Sequence, residues 1–433
     1  MNWKSEYKTL LWIVGGFLFA FFLPMQNDQF RQSIFDALAL TKWYAQEHVI
    51  LCLIPAFFIA GSIAVFLSQN AVIKYFGAGA RKWISYSVAS VSGTILAVCS
   101  CTVLPLFSGI YKQGAGLGPA IAFLYSGPAI NVLAIILTAR VLGWELGLAR
   151  VIGAVIFSIV IGLAMHYLYR KEQQEKASMQ FAGLEEDEER PMWQTAFHMV
   201  ILIGILVFAT WAEPGRDVGL LATIYSYKWH LVIFFGGLLA ISLIYILNIT
   251  RWHVLAGIVV TGVSAFLFPS SPMLTFSVAV IALGVILSFT AGEPSEWMSE
   301  TWSFTKQIMP LLGAGVLVAG FLLGMPGSDG GIIPNQWIES LVGGNSLAAN
   351  FFASVVGAFM YFATLTEIPI LQGLIASGMG QGPALALLLA GPAVSLPNLL
   401  VIRSMLGTQK TMVFLMLVII LSTVSGLIFG TYF

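Results

Sequence analysis

Residues 89–129 read ASVSGTILAVCSCTVLPLFSGIYKQGAGLGPAIAFLYSGPA, and residues 353–393 read ASVVGAFMYFATLTEIPILQGLIASGMGQGPALALLLAGPA. Laid on each other without a gap, at an offset of 264, they agree at seventeen of forty-one positions. Nine of those agreements are Gly or Pro, among them Pro105/Pro369, Gly114/Gly378, Gly116/Gly380, Gly118-Pro119 with Gly382-Pro383, and Gly127-Pro128 with Gly391-Pro392. Gly admits positive φ and close backbone approach, while Pro removes an N–H donor and fixes φ. What recurs is therefore a backbone path rather than a shared taste for apolar side chains.

Each copy reads as a helix, a break near Thr102 to Pro105 or Thr366 to Pro369, a Gly-rich turn, and a second helix interrupted at Gly127-Pro128 or Gly391-Pro392. Paired interrupted helices at corresponding positions of two halves are the sequence mark of a membrane carrier's substrate site, because broken helices turn free amides and carbonyls toward the bilayer midplane. The two halves are expected to be inverted with respect to each other.

The rest of the chain fits this solvent. It is 58% hydrophobic and 9% charged over 433 residues, with a mean hydropathy of +0.89. A soluble core of this size has no room for so much apolar surface. Runs without Asp, Glu, Lys or Arg, such as 83–111, 113–139, 151–169, 252–292, 340–366, 368–402 and 411–433, are long enough for spans of about 20 residues. They predict an all-α polytopic membrane protein of twelve or thirteen segments, since lipid tolerates no unpaired backbone and nothing alternates like a barrel strand. Eleven of the forty charged residues fall in 170–190, which divides the chain. The expected organisation is an N-terminal span and loop (1–45), a first transport repeat (46–169), the charged loop (170–190), middle spans (191–300) and a second repeat (301–433).

Chemistry gathers at the breaks. Cys99-Ser100-Cys101 precedes Thr102 and Pro105. On a regular helix the two sulfurs would point about 200° apart, whereas in extended backbone they face one side. Two such thiols suit soft, thiophilic species, so Cys99 and Cys101 are the candidate contacts for a soft metal or metalloid. The equivalent residues in the second half are Ala363 and Leu365, which carry no such chemistry. Cys52, alone in an apolar run, reads as a buried structural thiol.

Glu367 is the one Asp, Glu, Lys or Arg between 340 and 402. An ionisable group in such a setting is a functional candidate, since a charge near the bilayer centre costs at least several kcal/mol (about 2.5 or more). It is the candidate proton carrier; capping a half-helix amino end is the plainer alternative. Ser126, Asn131, Thr364, Thr366, Ser395 and Asn398 supply hydroxyls and amides beside the same breaks, either lining a path or satisfying freed backbone groups.

Other classes lack their machinery. No Walker, HExxH or GxSxG pattern is present, and Gly114 to Gly118 has neither a preceding strand nor a following Lys-Ser/Thr, so it reads as a helix-hairpin turn. The chain is not expected to be an enzyme. Net charge is zero without a basic tract, which gives no reason to expect a nucleic-acid partner. The expected partners are the lipid bilayer and a small-molecule substrate, with a homo-oligomer left open and no cofactor.

The stretch Cys99-Ser100-Cys101-Thr102-Val103-Leu104-Pro105-Leu106, with Gly114 to Pro119 and Ser126-Gly127-Pro128-Ala129-Ile130-Asn131, resembles the predicted-permease family that includes ArsP-type organoarsenical efflux permeases. The resemblance extends through Gly382-Pro383 and Gly391-Pro392, covering roughly 45–165 and 300–430 but not the middle spans. It implies a multi-pass carrier of the bacterial cytoplasmic membrane and, for its arsenical members, cysteine-assisted export of trivalent organoarsenicals. The rival readings are a pore-like conductor for a sulfur or selenium species and, more distantly, a membrane thiol oxidoreductase.

Overall fold

The computed structural model of the chain describes residues 3–66, 81–96, 100–130, 132–173, 191–211, 220–325, 330–333, 341–360, 367–376 and 378–433. Among the described residues the elements are helical, and no strand is named. In chain order they are α1 (Trp3–Phe21), α2 (Asp28–Phe66), α3 (Lys82–Leu96), α4 (Ser100–Lys112), α5 (Leu117–Ala129), α6 (Val132–Val141) and α7 (Trp144–Leu168). The middle of the chain forms α8 (Met192–Ala209), α9 (Leu220–Tyr245), α10 (Arg251–Leu267) and α11 (Pro272–Ser288). The remainder forms α12 (Glu293–Leu323), α13 (Leu347–Phe359), α14 (Glu367–Ala376), α15 (Gln381–Ala390), α16 (Leu396–Leu406) and α17 (Thr408–Tyr432).

Five of the described helices are long and apolar enough to cross a membrane: α2, α7, α12 and α17, and α9 over Ala222–Tyr245. Those near the breaks are shorter. α6, α14 and α15 have 10 residues each, which at about 1.5 Å per residue covers roughly half of a 30 Å hydrocarbon core. The charge-free run 113–139, expected to be one of twelve or thirteen membrane segments, holds most of two short helices, α5 and α6.

Positions 264 apart share conformation and contacts. Gly114 and Gly378 have φ of 95° and 104°, and each lies in the turn entering the next helix, α5 or α15. A side chain would be strained there, which is why Gly stands at both. α7 and α17 run over matching residues, 144–168 and 408–432. α5 meets α7 where a Cβ on Gly118 would stand 2.8 Å from the Gly162 carbonyl oxygen, and α15 meets α17 where one on Gly382 would stand 2.5 Å from that of Gly426. Small residues at both crossings let the backbones touch, as membrane helix pairs require. Hydroxyl pairs join the flanking helices alike: Ser90 to Ser158 at 2.8 Å and Ser354 to Thr423 at 3.1 Å.

The long helices α2 and α12 pack together along much of their length. α2 passes through a π-helical stretch, Ala45–Leu53, whose closing bond runs from the Ile54 N–H to the Val49 carbonyl. Pro55 follows at once and has no N–H to offer, so the ladder takes up the mismatch as an i to i−5 bond. Trp297 of α12 is wholly buried and donates its indole N–H to the Phe58 carbonyl at 2.7 Å. The other faces of the bundle are apolar and bare: Phe266 of α10 is 85% exposed and Phe289, just after α11, is 82%. Such surface belongs in lipid.

Candidate functional site

The short helices interlock across the halves: α14 packs on α6, and α16 on α4. At the centre α5 and α15 touch where the Tyr125 hydroxyl donates to the Leu389 carbonyl at 2.8 Å. That carbonyl lies at the end of α15, beyond which the helix stops, and terminal carbonyls need an outside donor. Pro392 explains the stop, because it has no N–H with which to continue the ladder.

The expected break at Gly391-Pro392 thus holds: α15 ends at Ala390, with Gly391 as its cap. In the first half α5 runs one residue past Pro128 and is capped by Ile130, so the interruption follows Gly127-Pro128 rather than falling on it. The Thr102 to Pro105 break is corrected. α4 begins at Ser100 and runs through Thr102 and Pro105, both buried. The proline removes only the N–H that would bond the Cys101 carbonyl, a loss that membrane helices tolerate. In the second half α14 starts at Glu367, so Pro369 sits in a first turn, where its missing N–H costs nothing.

Several predicted site residues can be placed. Ser126 is buried in α5 and donates to the Ala89 carbonyl of α3 at 3.0 Å, with the Phe123 carbonyl 3.2 Å away. Gly127, Pro128, Gly391 and Pro392 are buried. At the start of α16 the Ser395 hydroxyl and the Asn398 Oδ1 are buried without a hydrogen-bond partner among the described residues. Unmade polar atoms in a buried break are expensive unless something else meets them. Cys99, Asn131, Thr364 and Thr366 lie outside the described residues, as do the side chains of Ser100 and Cys101, whose backbones open α4. Cys52 is buried, 5% exposed, in the π-helical stretch of α2.

Glu367 has a partner that sequence reasoning missed. Arg150 of α7 brings Nη2 to 2.5 Å from Glu367 Oε1, and the two side chains are 0% and 1% exposed. Arg150 also donates through Nη1 to Thr138 Oγ1 of α6 at 2.9 Å, and the Thr138 hydroxyl donates in turn to the Ala134 carbonyl at 2.7 Å. Glu367 opens α14, where the amino end of a helix also favours a carboxylate. Two formal charges are buried inside an apolar bundle and balance each other there.

The chain belongs to the ArsP_1 predicted-permease family. That family's profile matches residues 34–431, a range that includes the middle spans, which the sequence resemblance had left out. The chain is 41% identical over 387 residues to the UPF0718 protein MJ0584 of Methanocaldococcus jannaschii, covering 89% of this chain and 93% of that one. It is 22% identical over 306 residues to the UPF0718 protein YraQ of Escherichia coli K12, covering 71% of this chain and 56% of that one. No solved structure matches.

As a predicted permease, the chain is a multi-pass membrane protein built for transport, and the interlocked breaks are the place in it where backbone and polar groups come together. Arg150 was hidden because it bounds the charge-free run 151–169 and so read as an edge. The signal lay in the helix start: Gly143-Trp144-Glu145 opens α7, which puts Arg150 nearly two turns inside it. At the offset of 264 its counterpart is Phe414, and that of Glu367 is Val103.

Proposed function

We propose that this permease exports a small thiophilic solute of the trivalent organoarsenical class by alternating access around the α5 and α15 crossing. Cys99 and Cys101 are the thiols that hold the solute, and Glu367 carries the coupling proton. Ser100, Thr102, Pro105, Ser126, Asn131, Thr364, Thr366 and Asn398 line the path that the breaks at Gly127-Pro128 and Gly391-Pro392 shape. The two halves are inverted repeats in a bacterial cytoplasmic membrane, so that each half opens the site to one side in turn.

The observation that carries this reading is the buried Glu367, held at the amino end of α14 where the second half interlocks with the first. An ionisable side chain kept inside a membrane bundle marks ion or substrate pathways. The thiol pair near the matching position of the first copy supports a soft cargo, because thiolates select soft metals and metalloids.

The test is growth of bacteria stripped of their own arsenical efflux in trivalent methylarsenite, with cell-associated arsenic measured alongside. Cells making this chain are expected to grow and retain less arsenic, and those making Cys99→Ser/Cys101→Ser at equal membrane levels are not. Equal arsenic retention with and without the chain would reject the arsenical cargo. A small sulfur or selenium species that moves without saturation and independently of any gradient would favour the pore-like conductor instead.

A further inference from the structure

We propose that Arg150 is the positioning residue of proton coupling: its guanidinium holds the ionised Glu367 and ties α7 to α14, and a proton on Glu367 releases that tie. The proposal rests on the reading of Glu367 as the coupling carboxylate.

The geometry makes the tie specific. Arg150 is fixed to the first half by its own helix and by Thr138 on α6, whose hydroxyl is itself held by the Ala134 carbonyl. Glu367 belongs to the second half. The ion pair therefore joins two groups of helices that interlock but are far apart in the chain. It occurs once, because the counterparts Val103 and Phe414 are both buried and apolar, 1% and 0% exposed.

Among the described residues Glu367 has one counter-charge, Arg150. Of the helices packed on α14, α15 carries no ionisable residue, and α6 carries Arg140 at its exposed end. α7 carries Glu145 in its first turn and His166 in its last, both far along the helix from Arg150, and α14 itself has no second charge. An arginine cannot give up its proton. When Glu367 takes one, the guanidinium is left as a buried charge without its anion, a strongly unfavourable state. The proton on Glu367 Oε replaces Arg150 as the carboxylate's partner, and α7 and α14 must part or admit water to hydrate the guanidinium. Protonation and the closed tie are then alternatives, which is what couples a proton to a change of shape.

The test needs no substrate. Spin labels on Ile152 of α7 and Gln372 of α14, both exposed, report the separation of the two helices. They are placed in the full chain with Cys52, Cys99 and Cys101 replaced by Ser, a change that leaves the ion pair in place. Distances are read at steps from about pH 8.5 down to about pH 4, which takes in the ordinary range of a carboxylate. The expected result is one distance at high pH and a second, longer one that grows on acidification. Glu367→Gln should show the longer distance at every pH, Arg150→Gln should lose the pH response, and Arg150→Lys should keep it. Should Arg150→Gln fail to fold, Arg150→Gln with Glu367→Gln serves in its place, and it too should be indifferent to pH. A pH response that survives in Glu367→Gln or in the double variant would overturn the proposal. Absence of arsenical flux through the wild-type chain, with the pH response intact in the labelled one, would reject the cargo and leave the tie standing.

Discussion

The Tyr125 hydroxyl bonds the carbonyl of Leu389, the residue 264 positions further on, which is the same position in the second copy of the recurring sequence. α5 and α15 therefore cross at matching registers, so whatever relates the two halves passes close to this bond. The ring of Phe157 of α7 packs at a tilt of 40° against Tyr125, 5.8 Å between centroids, and a Cβ on Gly153 would stand 3.0 Å from the Leu389 side chain. Arg150 lies one turn away on the same helix.

Tyr125→Phe keeps the ring and its packing but leaves the Leu389 carbonyl without its donor. Leaving one buried acceptor unmet costs about 1–3 kcal/mol. The detergent-purified variant should melt below the wild type, with its helix content unchanged.

The glycine crossings should be intolerant in the same way in both halves. Gly162→Val puts carbon against the Gly118 carbonyl and the Tyr86 ring, and Gly426→Val against the Gly382 carbonyl and Asn350. Forced overpacking costs typically about 1–3 kcal/mol and sometimes more. Both variants should lose monodisperse protein in size-exclusion profiles. Gly236→Ala on α9, where nothing lies within 4 Å of the added carbon, should behave as wild type.

These crossings show what was legible in the sequence. Gly and Pro constrain the main chain directly, so the match of Gly114 with Gly378 and of Gly118 with Gly382 survives into backbone torsions and contacts. Pro105 misled because a proline inside a helix deletes a single donor, and in lipid that is a lost bond rather than a stop. Arg150 was not legible because it stands at the end of the charge-free run 151–169, where a charge reads as the border of a span rather than as part of its interior. Which side chain meets Glu367 is a long-range fact. It depends on how α14 lies on α6 and α7, and no local spacing encodes that.

Ion pairs of this protein should divide sharply by burial. Lys112 and Glu300 meet at 3.2 Å with side chains 43% and 39% exposed. Glu300→Gln should therefore change stability by about 1 kcal/mol or less. Glu367→Gln leaves Arg150 as a buried charge and should cost about 3–5 kcal/mol. Thermal melts of the two variants in one detergent make the comparison.

Thr138→Val keeps the shape of the side chain while removing the acceptor for Arg150 Nη1. Hydrogen bonds to charged groups contribute about 1.5–3 kcal/mol. The variant should melt below wild type, and more so than Thr210→Val, whose hydroxyl meets only its own helix carbonyls.

The most direct measurement is uptake of trivalent methylarsenite by everted membrane vesicles containing this chain, with and without a proton gradient. It is compared for wild type, Cys99→Ser/Cys101→Ser and Glu367→Gln. Gradient-driven uptake by wild type, lost in the thiol variant and uncoupled from the gradient in Glu367→Gln, is the predicted result. Uptake that is equal in wild-type and thiol-variant vesicles, or absent from vesicles holding well-folded wild type, would contradict a thiol-dependent export site.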